Sequence, residues 1–318
     1  MDYNRLYESM FRIRRVEEEI ARIYPTDKIK SPVHLSIGQE AVSVGVCGTL
    51  SPSDTVFGTY RGHALYLAKG GDLKKMIAEL YGKVTGCAKG KGGSMHLIDV
   101  EHGIMGMSAV VGTTIPQAVG YAYAMKLRRE TSGETSIVAN FFGDGAVDEG
   151  SFHESLNFAN LKQVPIVFIC ENNNFAIHSR LQDRHGSDKI CQKAESYGIP
   201  AERIEGNDLI NIYQRVGEAV AQIRSGDSGP RFFECMTYRW KEHVGPGDDF
   251  HKGYRTRSEA EPWMAGDQIK RLASVVGPEA CTTIERLVEQ EISEAFEFAE
   301  NSEFPADAEL FADIFKGD

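Results

Sequence analysis

Residues 136–177 read SIVANFFGDGAVDEGSFHESLNFANLKQVPIVFICENNNFAI, and the order of residue types along this run decides the fold. Ser136 to Phe142 is a short apolar run of strand length, closed by a Gly-Asp-Gly turn. Glu149 to Asn160 puts Phe152, Leu156 and Ala159 on one helical face. Pro165 to Cys170 is a second apolar run, followed by Glu171 and three asparagines. Strand, turn, helix and strand in this order make a βαβ unit. Further along, Asp208 to Arg224 predicts another helix and Arg231 to Met236 a third strand. The expected class is α/β, a doubly wound, mostly parallel sheet with helices on both faces.

Upstream, Tyr3 to Ile23, Gln39 to Thr49 and Leu73 to Tyr81 have helical periodicity, so residues 1–80 read as mainly helical. Residues 82–93 are rich in Gly and Lys and predict irregular backbone. After Gly245 comes a polar loop, then an acidic helix from Ile284 to Ala299 within a helical segment over 264–318. With no internal repeat, the chain is expected to form a single domain over 1–318.

Composition narrows the function. Of 318 residues, 42% are hydrophobic and 25% charged, ordinary values for a globular protein. A net charge of −11 rules out a global basic field for nucleic acid. No apolar run reaches the length of a membrane span. The opening Met1-Asp2-Tyr3-Asn4 does not resemble a secretory signal, and the three arginines between Phe11 and Ala21 are followed by Glu17, Glu18 and Glu19, which argue against a transit peptide. A cytoplasmic location is expected, with neither nucleic acid nor membrane as partner. The six cysteines are scattered without a CxxC pair, which fits reduced thiols.

Ligands of such sheets bind beyond the carboxyl ends of the strands. The two ends at hand are Gly143-Asp144-Gly145-Ala146 and Glu171-Asn172-Asn173-Asn174-Phe175. A dinucleotide site is the rival reading, but Gly150 falls two places late for GxGxxG. Asp144 would also repel a pyrophosphate. A divalent cation between the two turns that repulsion into attraction. Magnesium takes oxygen donors, one or two of them from side chains; the Asp144 carboxylate, the Asn173 amide oxygen and the Phe175 carbonyl offer them. Each motif alone reads rather as a tight turn; the two together, at a spacing that fits a helix-plus-strand return, argue for the cation.

These residues resemble the thiamine diphosphate signature that begins with GDG and ends with NN. From Leu6 to Trp263 the chain resembles the alpha subunit of the decarboxylating first component of 2-oxo acid dehydrogenases. The blocks that carry this are HLSIGQEAVSVGV (34–46), YRGHALYLAKG (60–70), GCAKGKGGSMH (86–96), TYRWKEH (237–243) and GYRTRSEAEPW (253–263). The resemblance implies that Asp144, Asn173 and the Phe175 carbonyl hold Mg2+. It places the backbone of Gly145 and Ala146 at the diphosphate, at the amino end of the following helix. Tyr60 and Arg61 match a diphosphate-contacting pair. Ala109 to Gly112, including Val111, match the stretch that holds the aminopyrimidine ring, with Ala109 where the family usually has Gly. His63 and His243 match active-site histidines, His243 also touching the cofactor. His34 and His96 are candidates to line the site, whereas His153, His178, His185 and His251 read as structural or surface residues. Residues 82–93 lack GxxxxGK[ST], so they are no P-loop, though their basic charge suits a phosphate or an acidic partner.

The implied activity is decarboxylation of a 2-oxo acid, or cleavage of acetoin, with thiamine diphosphate, and transfer of the acyl fragment to a lipoyl group on a partner acyltransferase. A beta subunit would supply the aminopyrimidine-side domain and an activating Glu in a heterotetramer. The alternatives are a carboligase or acyltransferase half-subunit with a small acceptor, and a non-catalytic scaffold subunit. Val244 stands where the mammalian pyruvate member has a regulatory serine.

Overall fold

Apolar runs buried on both sides belong to the middle of a parallel sheet, and the chain builds its core on that principle. In the computed structural model, which describes residues 1–133 and 135–312, the strands are β1 (Thr55–Thr59), β2 (Ile104–Ser108), β3 (Val138–Gly143), β4 (Ile166–Asn172), β5 (Phe175–Ala176), β6 (Ser179–Arg180), β7 (Ala201–Ile204) and β8 (Arg231–Met236). Six of them form one parallel sheet in the order β2-β1-β3-β4-β8-β7, and β5 and β6 make a small antiparallel hairpin. Along β4, Val167 and Ile169 enter the core on one face, and Ile166, Phe168 and Cys170 enter the core on the other. The α/β expectation holds.

The first half supplies α1 (Tyr3–Ile23), α2 (Glu40–Cys47), α3 (His63–Ala68), α4 (Leu73–Leu80), α5 (Thr114–Ser132) and α6 (Gly150–Lys162). The second half adds α7 (Leu181–Arg184), α8 (Ile190–Ser196), α9 (Leu209–Ser225), α10 (Arg257–Ala265), α11 (Gln268–Val276) and α12 (Pro278–Asn301). Helix α1 starts where the Asp2 side chain accepts from the Arg5 N–H (3.1 Å), and it buries Leu6, Met10, Ile13 and Ile20 at helical spacing. On that face of the sheet it packs against α2, α3, α11 and α12, with α9 against α2 and α4 against α12, while α5, α6 and α8 cover the other.

Two differences from the sequence reading matter for the site. The run taken as the opening strand is the third, because β1 (TVFGT) and β2 (IMGMS) precede it. Their glycines and methionines give neither strict alternation nor a β-branched run. From β1 the chain steps to β2 on one side and to β3 and β4 on the other, so the switch point lies between β1 and β3. The second difference is that Asp144–Asp148 form a 3-10 turn and Glu149 caps α6. Gly145 and Ala146 therefore sit on that turn and not at the amino end of the helix. Among the described residues, no helix is long and apolar enough to cross a membrane, and all six cysteines are free.

Candidate active site

Loops leaving β1, β2, β3 and β4 at their carboxyl ends enclose a cleft of about 290 Å³ at the switch point. Thr59, Tyr60 and Arg61 line it from β1, Ser108 and Val110 to Gly112 from β2, and Gly143 to Ala146 from β3. Glu171, Asn173 and Phe175 come from β4 and its hairpin, and Gln39 and His243 from two loops above the sheet. Ala109 and His96 are not among the lining residues; His96 is exposed, its Nδ1 lying 3.1 Å from the Met107 carbonyl.

The register of β3 with β4 pairs Gly143 with Glu171, which brings Asp144 and Asn173 side by side just beyond the sheet. Asp144 is almost fully buried (1% exposed) and Asn173 nearly so. The Asn173 amide donates to Gln39 Oε1 (3.0 Å), and its Oδ1 accepts from the Phe175 N–H (3.1 Å). Burial pushes the Asp144 carboxyl up to about 6, and the Arg184 guanidinium and the Asn173 N–H pull it back down. A carboxylate, an amide oxygen and a neighbouring carbonyl are hard donors that suit magnesium better than a soft metal. Among the described residues no three His, Cys, Asp or Glu side chains gather around a metal position; this set has only one carboxylate. Gly145 is needed here, since a Cβ would sit 2.9 Å from that of Ala176.

The positively charged side of the cleft is Arg61. Its Nη1 donates to the Leu35 carbonyl (2.7 Å) and its Nη2 to the His243 carbonyl (3.2 Å). It thus ties the loop over 33–39 to the loop over 237–247. Those loops are also joined directly, Trp240 N–H to the Ile37 carbonyl (2.9 Å) and Gly245 N–H to the Val33 carbonyl (2.8 Å). Their pairing brings the His34 and His243 rings to 5.2 Å edge-on, with Tyr60 at 4.5 and 5.7 Å from them. Burial and Arg61 hold both histidines down to about 3, so they are neutral near pH 7 and act through hydrogen bonds. His34 Nδ1 is buried without a partner.

His63 is placed elsewhere. It is fully buried beneath the cleft, with Nδ1 3.2 Å from Glu17 Oε1 and Nε2 2.8 Å from Ser94 Oγ. The connectivity is that of a Ser-His-acid triad, but all three residues are 0% exposed, so no substrate reaches the serine. Glu17 Oε1 also accepts from the Ser36 N–H (2.8 Å), linking His63 to the loop that carries His34.

The Gly- and Lys-rich loop is closed to outside anions. Glu79, fully buried, accepts from the N–H groups of Ala88, Gly90, Gly92 and Gly93 at 2.7 to 3.0 Å. The backbone nest that a phosphate needs is already filled from within.

Three features were missed from sequence. Glu171 faces the cleft and burial pushes its carboxyl up to about 7, against Arg61; alternation along β4 was the available signal, since Asn172 turns away to Glu234 (2.7 Å). Asp249, in the segment read as a polar loop, is fully buried and binds Arg239 (2.9 Å) and Arg255 (2.6 Å), fastening the loop of His243. Arg184 pairs with Asp144 and gave no sequence signal.

A buried hard-oxygen set beside an arginine at a switch point has the donor chemistry that suits a divalent cation and a diphosphate. Residues 8–307 match the family described as "Dehydrogenase E1 component". The chain is 36% identical over 315 residues to the alpha subunit of acetoin:2,6-dichlorophenolindophenol oxidoreductase of Bacillus subtilis, covering 98% of this chain and 92% of that one. It is 34% identical over 320 residues to the pyruvate dehydrogenase E1 component subunit alpha of Rickettsia prowazekii (99% and 96%). Identity is 37% over 318 residues to the chloroplastic subunit alpha-3 of Arabidopsis thaliana (98% and 73%). The chain belongs to the dehydrogenase E1 component family, thiamine diphosphate-dependent 2-oxo acid dehydrogenases, and within it to the alpha-subunit type. The resemblance drawn from the sequence blocks is borne out.

Proposed function

We propose that this chain is the alpha subunit of a cytoplasmic, magnesium-dependent 2-oxo acid or acetoin dehydrogenase, a single cofactor-binding domain that works with a beta subunit in a heterotetramer. The observation that carries the reading is the placement of Asp144 beside Asn173 at the ends of adjacent strands, in a cleft that Arg61 and His243 also line. Thiamine diphosphate, when bound, supplies the electron sink for decarboxylation. The chain's part is position and electrostatics. Asp144, Asn173 and the Phe175 carbonyl hold Mg2+, and Tyr60, Arg61 and the backbone of Gly145 and Ala146 take the diphosphate. Val111 packs against the aminopyrimidine, with Ala109 in the turn behind it. His243 is the catalytic histidine, a neutral donor to a substrate oxygen; His34 shares its ring cluster. His63 is a positioning residue, acting through Glu17 on the loop of His34.

The beta subunit contributes the aminopyrimidine-side domain and an activating Glu, and a lipoyl-bearing acyltransferase receives the acyl group. The relatives are named for acetoin and for pyruvate at similar identity, so the substrate is decided by assay. The test is co-expression with the beta partner and turnover of pyruvate, 2-oxobutyrate, branched-chain 2-oxo acids and acetoin with an artificial electron acceptor. Turnover that needs thiamine diphosphate and Mg2+ and disappears in Asp144→Ala is expected. A complex that turns over these substrates without the cofactor would overturn the reading.

A further inference from the structure

The carboxylate assigned to the cation already has a counter-ion. Helix α7 is a single turn whose last residue, Arg184, reaches across the cleft wall. Its Nη2 lies 2.5 Å from Asp144 Oδ2, and its Nη1 bonds Asp148. Both acids stand on the same 3-10 turn, one at each end. The Arg184 side chain is only 13% exposed, and its Nε is buried without an acceptor. Two carboxylates, with no backbone carbonyl among them, hold the guanidinium. His185 also reaches Asp148 and approaches Lys193 Nζ (2.7 Å), so positive charge lies behind Arg184.

A carboxylate oxygen cannot serve a guanidinium and a divalent cation at full strength together. Both seek the same lone pairs, and with both in place two positive centres face each other in a poorly screened site. Asp148 provides the way out, because Arg184 keeps one carboxylate when Asp144 is taken. We propose that Arg184 is a positioning residue of the cofactor site: it holds the Asp144 carboxylate in the cleft before loading and cedes it to the incoming cation, remaining on Asp148. Loading is then an exchange of cations on Asp144, and cation affinity is set by that competition. The inference rests on Asp144 being a cation ligand, as proposed above.

The experiment uses the complex with its beta partner and Mn2+ as the probe, at pH 8 and fixed thiamine diphosphate. Bound metal is read from the loss of the free Mn2+ electron paramagnetic resonance signal. Arg184→Gln is expected to tighten Mn2+ roughly tenfold, within the usual range of coupling between sites, and Arg184→Lys to fall between it and the parent. Asp148→Asn is expected to weaken Mn2+ several-fold, since Arg184 then has only Asp144. These opposite signs separate the exchange from a merely structural role, in which both variants would weaken binding. Arg184→Gln with unchanged or weaker Mn2+ binding would overturn the proposal. If the parent complex binds no Mn2+, or Asp144→Ala binds it unchanged, the cation role of Asp144 is itself wrong.

Discussion

Two buried carboxylates in this chain, Glu79 near the end of α4 with the glycine-rich loop folded over it and Asp144 within the Gly-Asp-Gly turn, meet opposite fates. Glu79 accepts four backbone N–H bonds and is fully buried. Asp144 is held chiefly by a side chain, Arg184, and faces a cleft of about 290 Å³. Backbone partners cannot leave without unfolding the loop, but a side chain can swing away. The way a buried charge is satisfied therefore separates a structural acid from one available to a ligand.

The largest effect that tests this contrast is on catalysis. Asp144→Ala should reduce thiamine diphosphate-dependent turnover by about 10³-fold or more, while the thermal midpoint moves by no more than about 4 °C. Glu79→Ala should do the reverse. It strands buried N–H groups, each unmade bond costing about 1–3 kcal/mol, and with partial relaxation of the loop a loss of about 4 kcal/mol is expected in urea unfolding. Turnover per folded molecule should stay within a few-fold. A Glu79 variant of full stability and no activity would end the comparison.

A smaller expected effect distinguishes the two histidines. His243→Ala should lower kcat about 10²-fold without a change in stability, whereas His63→Ala, which breaks the link from Glu17 to Ser94, should lower stability by about 2 kcal/mol with a lesser effect on kcat. The smallest concerns pH. His34 and His243 are held down to about 3 in the fold, against about 6.5 in an unfolded chain. Between these values the unfolded state binds more protons, so stability is complete above pH 6.5 and falls as pH drops below it. His34→Asn should flatten that acid slope in urea midpoints measured from pH 7 to 5. An unaltered slope would show that other groups set it.

Much of this was legible because the signals are local. The apolar runs of β3 and β4 and the helical periodicity of α1 follow from burial, and the GDG and NNN turns mark where strands end. The edge strand β7 (AERI) was not visible, since its charged residues suit an edge and resemble a loop. Helix α5 (TIPQAVGYAYAMKLRRETS) was missed because Pro116 and Gly120 interrupt a weak apolar face. His63 and His34 both lie in family-like blocks, and nothing in the blocks says which ring meets His243.

By itself the sequence determined the class of sheet, the family and the positions of the ligand-bearing turns, because hydrophobic period and turn chemistry act over a few residues. Only the tertiary structure decided which groups share the cleft. It put His34 with His243, buried His63 beneath them, closed the glycine-rich loop around Glu79 and set Arg184 on Asp144. Those outcomes depend on which loops pack together across the carboxyl end of the sheet and on which charges burial leaves to be paired.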